Sequence, residues 1–124
     1  MKRYLENLDQ QIDKNIKRIL LSEQKLKTLP TIPEHVEKLI LSNNLLKEIP
    51  NINKKLKYLY CEHNLLETLP PLHNGLIELR CNNNKLIELP AIPKSIKRLD
   101  AHNNNIKVFP KIHDKIEIFQ SYNN

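Results

Sequence analysis

Val36-Glu37-Lys38-Leu39-Ile40-Leu41-Ser42-Asn43-Asn44-Leu45-Leu46-Lys47-Glu48-Ile49-Pro50 returns, altered but aligned, every 20 residues to the end of a 124-residue chain. Proline marks the period at Pro30, Pro50, Pro70, Pro90 and Pro110, and asparagine marks it at Asn44, Asn64, Asn84, Asn104 and Asn124. Apolar residues hold fixed slots between them: Val36, Leu56, Leu76, Ile96 and Ile116, then Leu39, Leu59, Leu79, Leu99 and Phe119, then Leu46, Leu66, Leu86 and Ile106. A unit this short buries no apolar face alone, so units of one period stack and share a continuous core. The period predicts a solenoid over residues 12–124, about five repeats and a truncated sixth. The first repeat is degenerate, with Gln24 where later ones carry asparagine.

Each slot has a physical meaning. Leu39-Ile40-Leu41, Leu59-Tyr60-Cys61, Leu79-Arg80-Cys81 and Leu99-Asp100-Ala101 alternate with period two, so each is a short strand with one face inward. Equal repeats stack these strands into a parallel sheet. The chain then turns, and the repeating asparagine enters the interior, where its amide both donates and accepts toward its own turn and the next. Asn84→Ala is expected to cost about 1–3 kcal/mol by orphaning buried backbone groups. The return path through Ile49-Pro50 to Leu56 is too short for a helix and carries proline, with a second at Pro33 and Pro93 in two repeats, so an extended, polyproline-like side is expected. Gly75 is the only glycine, which leaves positive-φ turns to Asn and Asp.

The pattern Ile49-Pro50-x-Ile52-x-x-x-Leu56-x-x-Leu59-x-Cys61-x-x-Asn64-x-Leu66-x-x-Leu69-Pro70 resembles the short, proline-marked leucine-rich repeat. That class occurs in bacterial type III effectors of the YopM and IpaH kind, and similar repeats occur in giant DNA viruses. The resemblance implies a leucine-rich-repeat solenoid with its parallel β-sheet on the concave face. It implies a partner-binding scaffold without naming the partner, since one scaffold serves many functions. IpaH-like effectors add a C-terminal ubiquitin-ligase domain, to which nothing in these residues corresponds. Cys61, Cys81, Ala101 and Ser121 depart from the pattern, standing where a larger aliphatic residue is usual.

Before the first repeat, Tyr4, Leu5, Leu8 and Ile12 form a helical apolar stripe opposite Lys2, Arg3, Glu6, Asp9 and Gln10. Residues 1–11 are read as a helical cap over the first repeat's core. The segment lacks the apolar centre of a signal peptide, no run approaches a bilayer crossing, and two cysteines make no disulfide framework. These features lead to the expectation of a cytoplasmic or otherwise intracellular protein, with the inside of a host cell included.

Function in a solenoid sits on the variable side chains of the strand face. Lys38, Tyr58, Glu78 and Arg98 form one column, Ile40, Tyr60, Arg80 and Asp100 the next, and Glu62, His102 and Tyr122 belong to a third at the strand ends. Ile40, Tyr58 and Tyr60 make an apolar, aromatic patch, with Arg80 placed to lie over the Tyr60 ring. Tyrosine and arginine anchor protein interfaces, so a protein partner is expected here, centred on Ile40, Tyr58, Tyr60, Arg80 and Arg98. Glu78–Arg98 and Arg80–Asp100 are the lateral ion pairs the register allows.

The chain carries 20 Lys and Arg against 14 Asp and Glu, with a pI near 9.3. On the strand face, however, Arg18, Lys38, Arg80 and Arg98 are matched by Glu23, Glu62, Glu78 and Asp100. The excess lies on the edge before the strands, at Lys14, Lys17, Lys54, Lys55, Lys57, Lys94, Lys97 and Lys115. A spread lysine edge reads as a solvated face, which weighs against nucleic acid, with binding of nucleic acid or another polyanion along that edge kept as the alternative.

An enzyme is the least supported class. There is no phosphate-cradling glycine loop, no His-Glu-x-x-His and no Cys-x-x-Cys, and no cofactor is implied. Cys61 points inward while His63 lies at the turn, so the two form no dyad. Cys61 and Cys81, in one slot of adjacent strands, are expected as buried free thiols. His35, His63, His73, His102 and His113 share no column, so no metal site is expected. The last repeat ends at Asn124 without a cap, and from that comes an expectation of end-to-end pairing of two protomers or of a cap supplied by a partner.

Overall fold

The computed structural model describes residues 16–124, so the expected cap at 1–11 lies outside the described residues. Six three-residue strands follow one another: β1 (Arg18–Leu20), β2 (Lys38–Ile40), β3 (Tyr58–Tyr60), β4 (Glu78–Arg80), β5 (Arg98–Asp100) and β6 (Ile118–Gln120). They form one parallel sheet in sequence order. Each residue pairs with the one a repeat later, as in Leu39 with Leu59 and Leu59 with Leu79. The ladder continues past the strand ends, where Cys61 N–H donates to the Arg80 carbonyl and His63 N–H to that of Asn82.

The central residue of each strand and the residue just after it point inward. Leu39, Leu59, Leu79 and Leu99 are buried, and so are Leu41, Cys61, Cys81 and Ala101. Val36, Leu56, Leu76 and Ile96 form the column before the strands, and Leu46, Leu66, Leu86 and Ile106 the column after the turns. Together they make one continuous core along the stack. Ile32, Ile52, Leu72 and Ile92 of the return side pack against it only partly buried. No helix or strand forms on that return among the described residues. A β-turn closes it in successive repeats, with Val36 N–H donating to the Pro33 carbonyl and Ile96 N–H to that of Pro93.

The asparagines line up behind one another as a ladder, but they bond backward. Asn84 Nδ2 donates to the Cys81 carbonyl at 3.1 Å and to the Cys61 carbonyl of the preceding repeat at 3.1 Å. Its Oδ1 accepts from Leu66 N–H at 3.0 Å. Asn44, Asn64, Asn104 and Asn124 repeat this set, so each fastens its turn to the preceding repeat and not to the following one. Gln24 bonds the Ser22 carbonyl instead.

The positive-φ residues also correct an expectation. Asn43, Asn83, Asn103 and Asn123 adopt φ of 55–59°, but so do Glu23, Lys25 and His63, and among the described residues no Asp does. Gly75 is not among them. The slot after the strand demands the left-handed conformation in every repeat. Whichever residue stands there takes it, because the ladder on either side fixes the backbone.

Candidate functional site

Because Leu39, Leu59, Leu79 and Leu99 face the core, the residues flanking them in each strand face the opposite side of the sheet. The register sets Lys38, Tyr58, Glu78 and Arg98 abreast, and Ile40, Tyr60, Arg80 and Asp100 abreast beside them. Lys38 Nζ lies 5.4 Å from the Tyr58 ring centre and 4.8 Å from that of Tyr60. Arg80 Cζ lies 4.0 Å from the Tyr60 centre, so two cations contact one ring. Burial, followed by the Glu78 carboxylate beside it, pushes the Tyr60 phenol up to about 12.

Glu78 joins this cluster to β5. It accepts from Arg80 at 3.3 Å and from Arg98 at 3.4 Å, and is itself only 7% exposed. The expected Glu78–Arg98 pair is present. Arg80, however, pairs with Glu78 on its own strand and not with Asp100. The Asp100 carboxylate bonds His102 Nδ1 two residues on. The His102 ring in turn stacks on Tyr122, with centres 4.4 Å apart. Glu62 and Asn82, at the ends of β3 and β4, have shielded oxygens without a hydrogen-bond partner.

Of the residues singled out from sequence, Lys38, Tyr58, Tyr60, Arg80, Glu78 and Arg98 form one contiguous cluster, and Asp100, His102 and Tyr122 a second. Ile40 is 9% exposed, since it sits between Leu20 and Tyr60 in the row, and offers little surface. Leu20, abreast of Ile40 in the same row, stands 61% exposed and was not singled out, although the period carries that column back to it. Asn82 was passed over too. Its column position was plain, but its lack of a partner is visible only in three dimensions.

Cys61 and Cys81 are free and buried. Burial pushes both thiols well above the ordinary range. Among the described residues no group of three or more His, Cys, Asp and Glu is placed to hold a metal ion. On the lysine edge, Lys17 and Lys57 share Glu37, at 3.7 and 2.9 Å. The Lys57 ammonium holds the Glu37 carboxyl below the usual carboxylate range. No described helix is long and apolar enough to cross a membrane.

Neither a protein-family model nor a curated protein matches the sequence. Solved structures do. The leucine-rich-repeat domain of a Shigella effector superposes with a TM-score of 0.84 at 30% identity, covering 86% of this chain and 49% of that one. YopM from Yersinia enterocolitica gives 0.85 at 32% identity, over 97% of this chain and 26% of that one. YopM from Yersinia pestis, a leucine-rich effector protein, gives 0.76 at 25% identity, over 93% and 38%. The chain thus spans half or less of the length of each. With its 20-residue period, inward asparagine ladder and six-stranded parallel sheet, the chain is a leucine-rich-repeat solenoid, similar in fold to the repeat regions of these Shigella and Yersinia effectors.

Proposed function

We propose that this chain is a non-catalytic interaction module that binds a protein partner on its concave sheet face. The observation that carries the reading is the Lys38–Tyr58–Tyr60–Arg80 cluster, in which two half-buried rings are fixed by two cations. Rings held this way lose little side-chain freedom on contact, so more of the contact energy is kept as affinity. The likeness to effector repeat domains supports the same reading. The two free buried thiols suit a reducing, intracellular site of action.

The test compares partner recovery by wild type and by Tyr58→Ala/Tyr60→Ala, with circular dichroism to confirm that the double variant keeps its fold. Partners captured by wild type should be lost from the variant, while Val108→Ser, an exposed change away from the strands, should keep them. Equal recovery by wild type and the tyrosine variant would remove the patch from the site.

A further inference from the structure

We infer that a cleft at the strand ends is built to take a cationic side chain, arginine first, from the partner. This rests on the reading of the sheet face as the binding surface and names the chemistry it selects. The cleft has a volume of about 370 Å3, and Glu62, His63, Arg80, Asn82, Arg98 and Asp100 are among its walls.

Its acceptors and donors are unequally committed. Arg80 and Arg98 both pair with Glu78, and Arg80 also covers the Tyr60 ring. The cations in the wall are therefore occupied. On the acceptor side, Glu62 Oε2 and Asn82 Oδ1 are shielded from solvent and have no hydrogen-bond partner. Asn82 is only 8% exposed. Elsewhere in this fold the repeating asparagines satisfy their buried groups in full, as Asn64 does with Leu46 N–H and the Leu41 and Cys61 carbonyls. Two neighbouring orphaned acceptors break that habit, and a buried acceptor left unpaired is costly unless a ligand completes it.

The missing partner must donate, and the Glu62 carboxylate, unlike Asp100, which His102 already holds, makes a cation the favoured donor. Glu62 and Asn82 stand on adjacent rungs, as the His63 N–H to Asn82 carbonyl bond shows. Parallel strands lie roughly 4.8 Å apart. A guanidinium, with five N–H donors in a planar fork, reaches acceptors on two rungs at once, whereas an ammonium offers a single point of charge. An anion would meet the unpaired Glu62 carboxylate oxygen.

The experiment titrates the whole isotope-labelled chain with an acetylated, amidated glycine–arginine–glycine tripeptide and follows amide chemical shifts. Saturable shifts are expected at the Asn82 side-chain amide and at the backbone of Glu62 and His63. The lysine tripeptide should bind more weakly, and the neutral citrulline tripeptide should not bind. Glu62→Gln, which keeps shape and removes charge, should weaken the arginine peptide by about tenfold. Glu48→Gln, an exposed change in the return segment, should leave binding unaltered. Absence of saturable shifts, equal binding of citrulline, or an unchanged affinity in Glu62→Gln overturns the inference. No partner protein enters this test. A peptide that binds while partner recovery ignores Tyr58→Ala/Tyr60→Ala would keep the cleft and sink the aromatic patch, and the converse pair of results would do the opposite.

Discussion

At the scale of single residues, the fold depends on side chains that stand in for backbone. Asn84 satisfies two carbonyls and an N–H that no strand partner reaches. Asn84→Ala leaves the Leu66 N–H without an acceptor, at about 1–3 kcal/mol, while the Cys61 and Cys81 carbonyls keep the Asn64 and Asn104 amides. The denaturant midpoint should drop accordingly, and Asn84→Asp should fare little better because it sets an acceptor-only carboxylate against the Cys61 and Cys81 carbonyl oxygens. The thiols give a second residue-scale expectation, with a sign fixed by burial. Cys61 and Cys81 stay protonated when folded and ionise near pH 8.5 when unfolded. Their contribution is therefore intact below about pH 8.5. It falls as pH rises beyond that, by up to about 1.4 kcal/mol per pH unit for each thiol. Ala101 fills the same slot one repeat on and is fully buried. Cys81→Ala should thus be tolerated at neutral pH and should halve the alkaline slope measured by denaturation. That these residues face inward was legible, because the slot repeats. The backward direction of the asparagine bonds was not, since a bare period is the same read either way, and the left-handed backbone at His63 was signalled only by its sharing a slot with Asn43 and Asn83.

At the scale of the strands, the period fixes which side chains are abreast but not which of them pair. Arg80 has Asp100 beside it in register, yet it turns to Glu78, which also holds Arg98. Asp100 is then taken by His102. A choice among acceptors within one side chain's reach depends on rotamers, and a repeat pattern carries no rotamers. For the same reason the aromatic patch could be read from sequence and the orphaned acceptors of the cleft could not. The pairing has an optical consequence. Tyr60 is pushed up to about 12 by burial and by Glu78, so an ultraviolet titration should show a phenol ionising late. Tyr60→Phe should delete that step. Glu78→Gln should move it down, because the carboxylate's contribution is gone while burial, the larger cause, remains. A titration in which Tyr60→Phe removed an ordinary phenol would contradict the cluster.

At the scale of the whole molecule, a solenoid's stability is close to a sum over units and their interfaces, and each unit touches only its neighbours. The sum is uneven here. Leu59, Leu79 and Leu99 are fully enclosed, whereas Phe119, in the same column, is partly buried and meets Phe109 edge to face at 5.7 Å. Leu79→Ala removes packing on two interfaces and should cost about 2–5 kcal/mol. Phe119→Ala, though it deletes more atoms, should cost less than a fully enclosed phenylalanine would. Amide exchange should show the same gradient. The Cys81 N–H, bonded to the Asp100 carbonyl, should open only with global unfolding, and the Asn103 N–H, bonded to the Tyr122 carbonyl, should open locally and sooner. The gradient bears on binding because the tyrosines and the cleft's unpaired acceptors, Tyr58, Tyr60, Glu62 and Asn82, belong to β3, β4 and their ends, the best-enclosed part of the stack, although Ile118 and Gln120 of β6 also line the cleft. A face built there arrives ordered, and a partner need not offset the entropy of arranging it. Phe119→Ala should accordingly loosen the last repeat in exchange experiments while leaving the arginine-peptide affinity within about twofold of wild type. Affinity falling in step with exchange at Asn103 would show instead that the cleft depends on the far end of the stack.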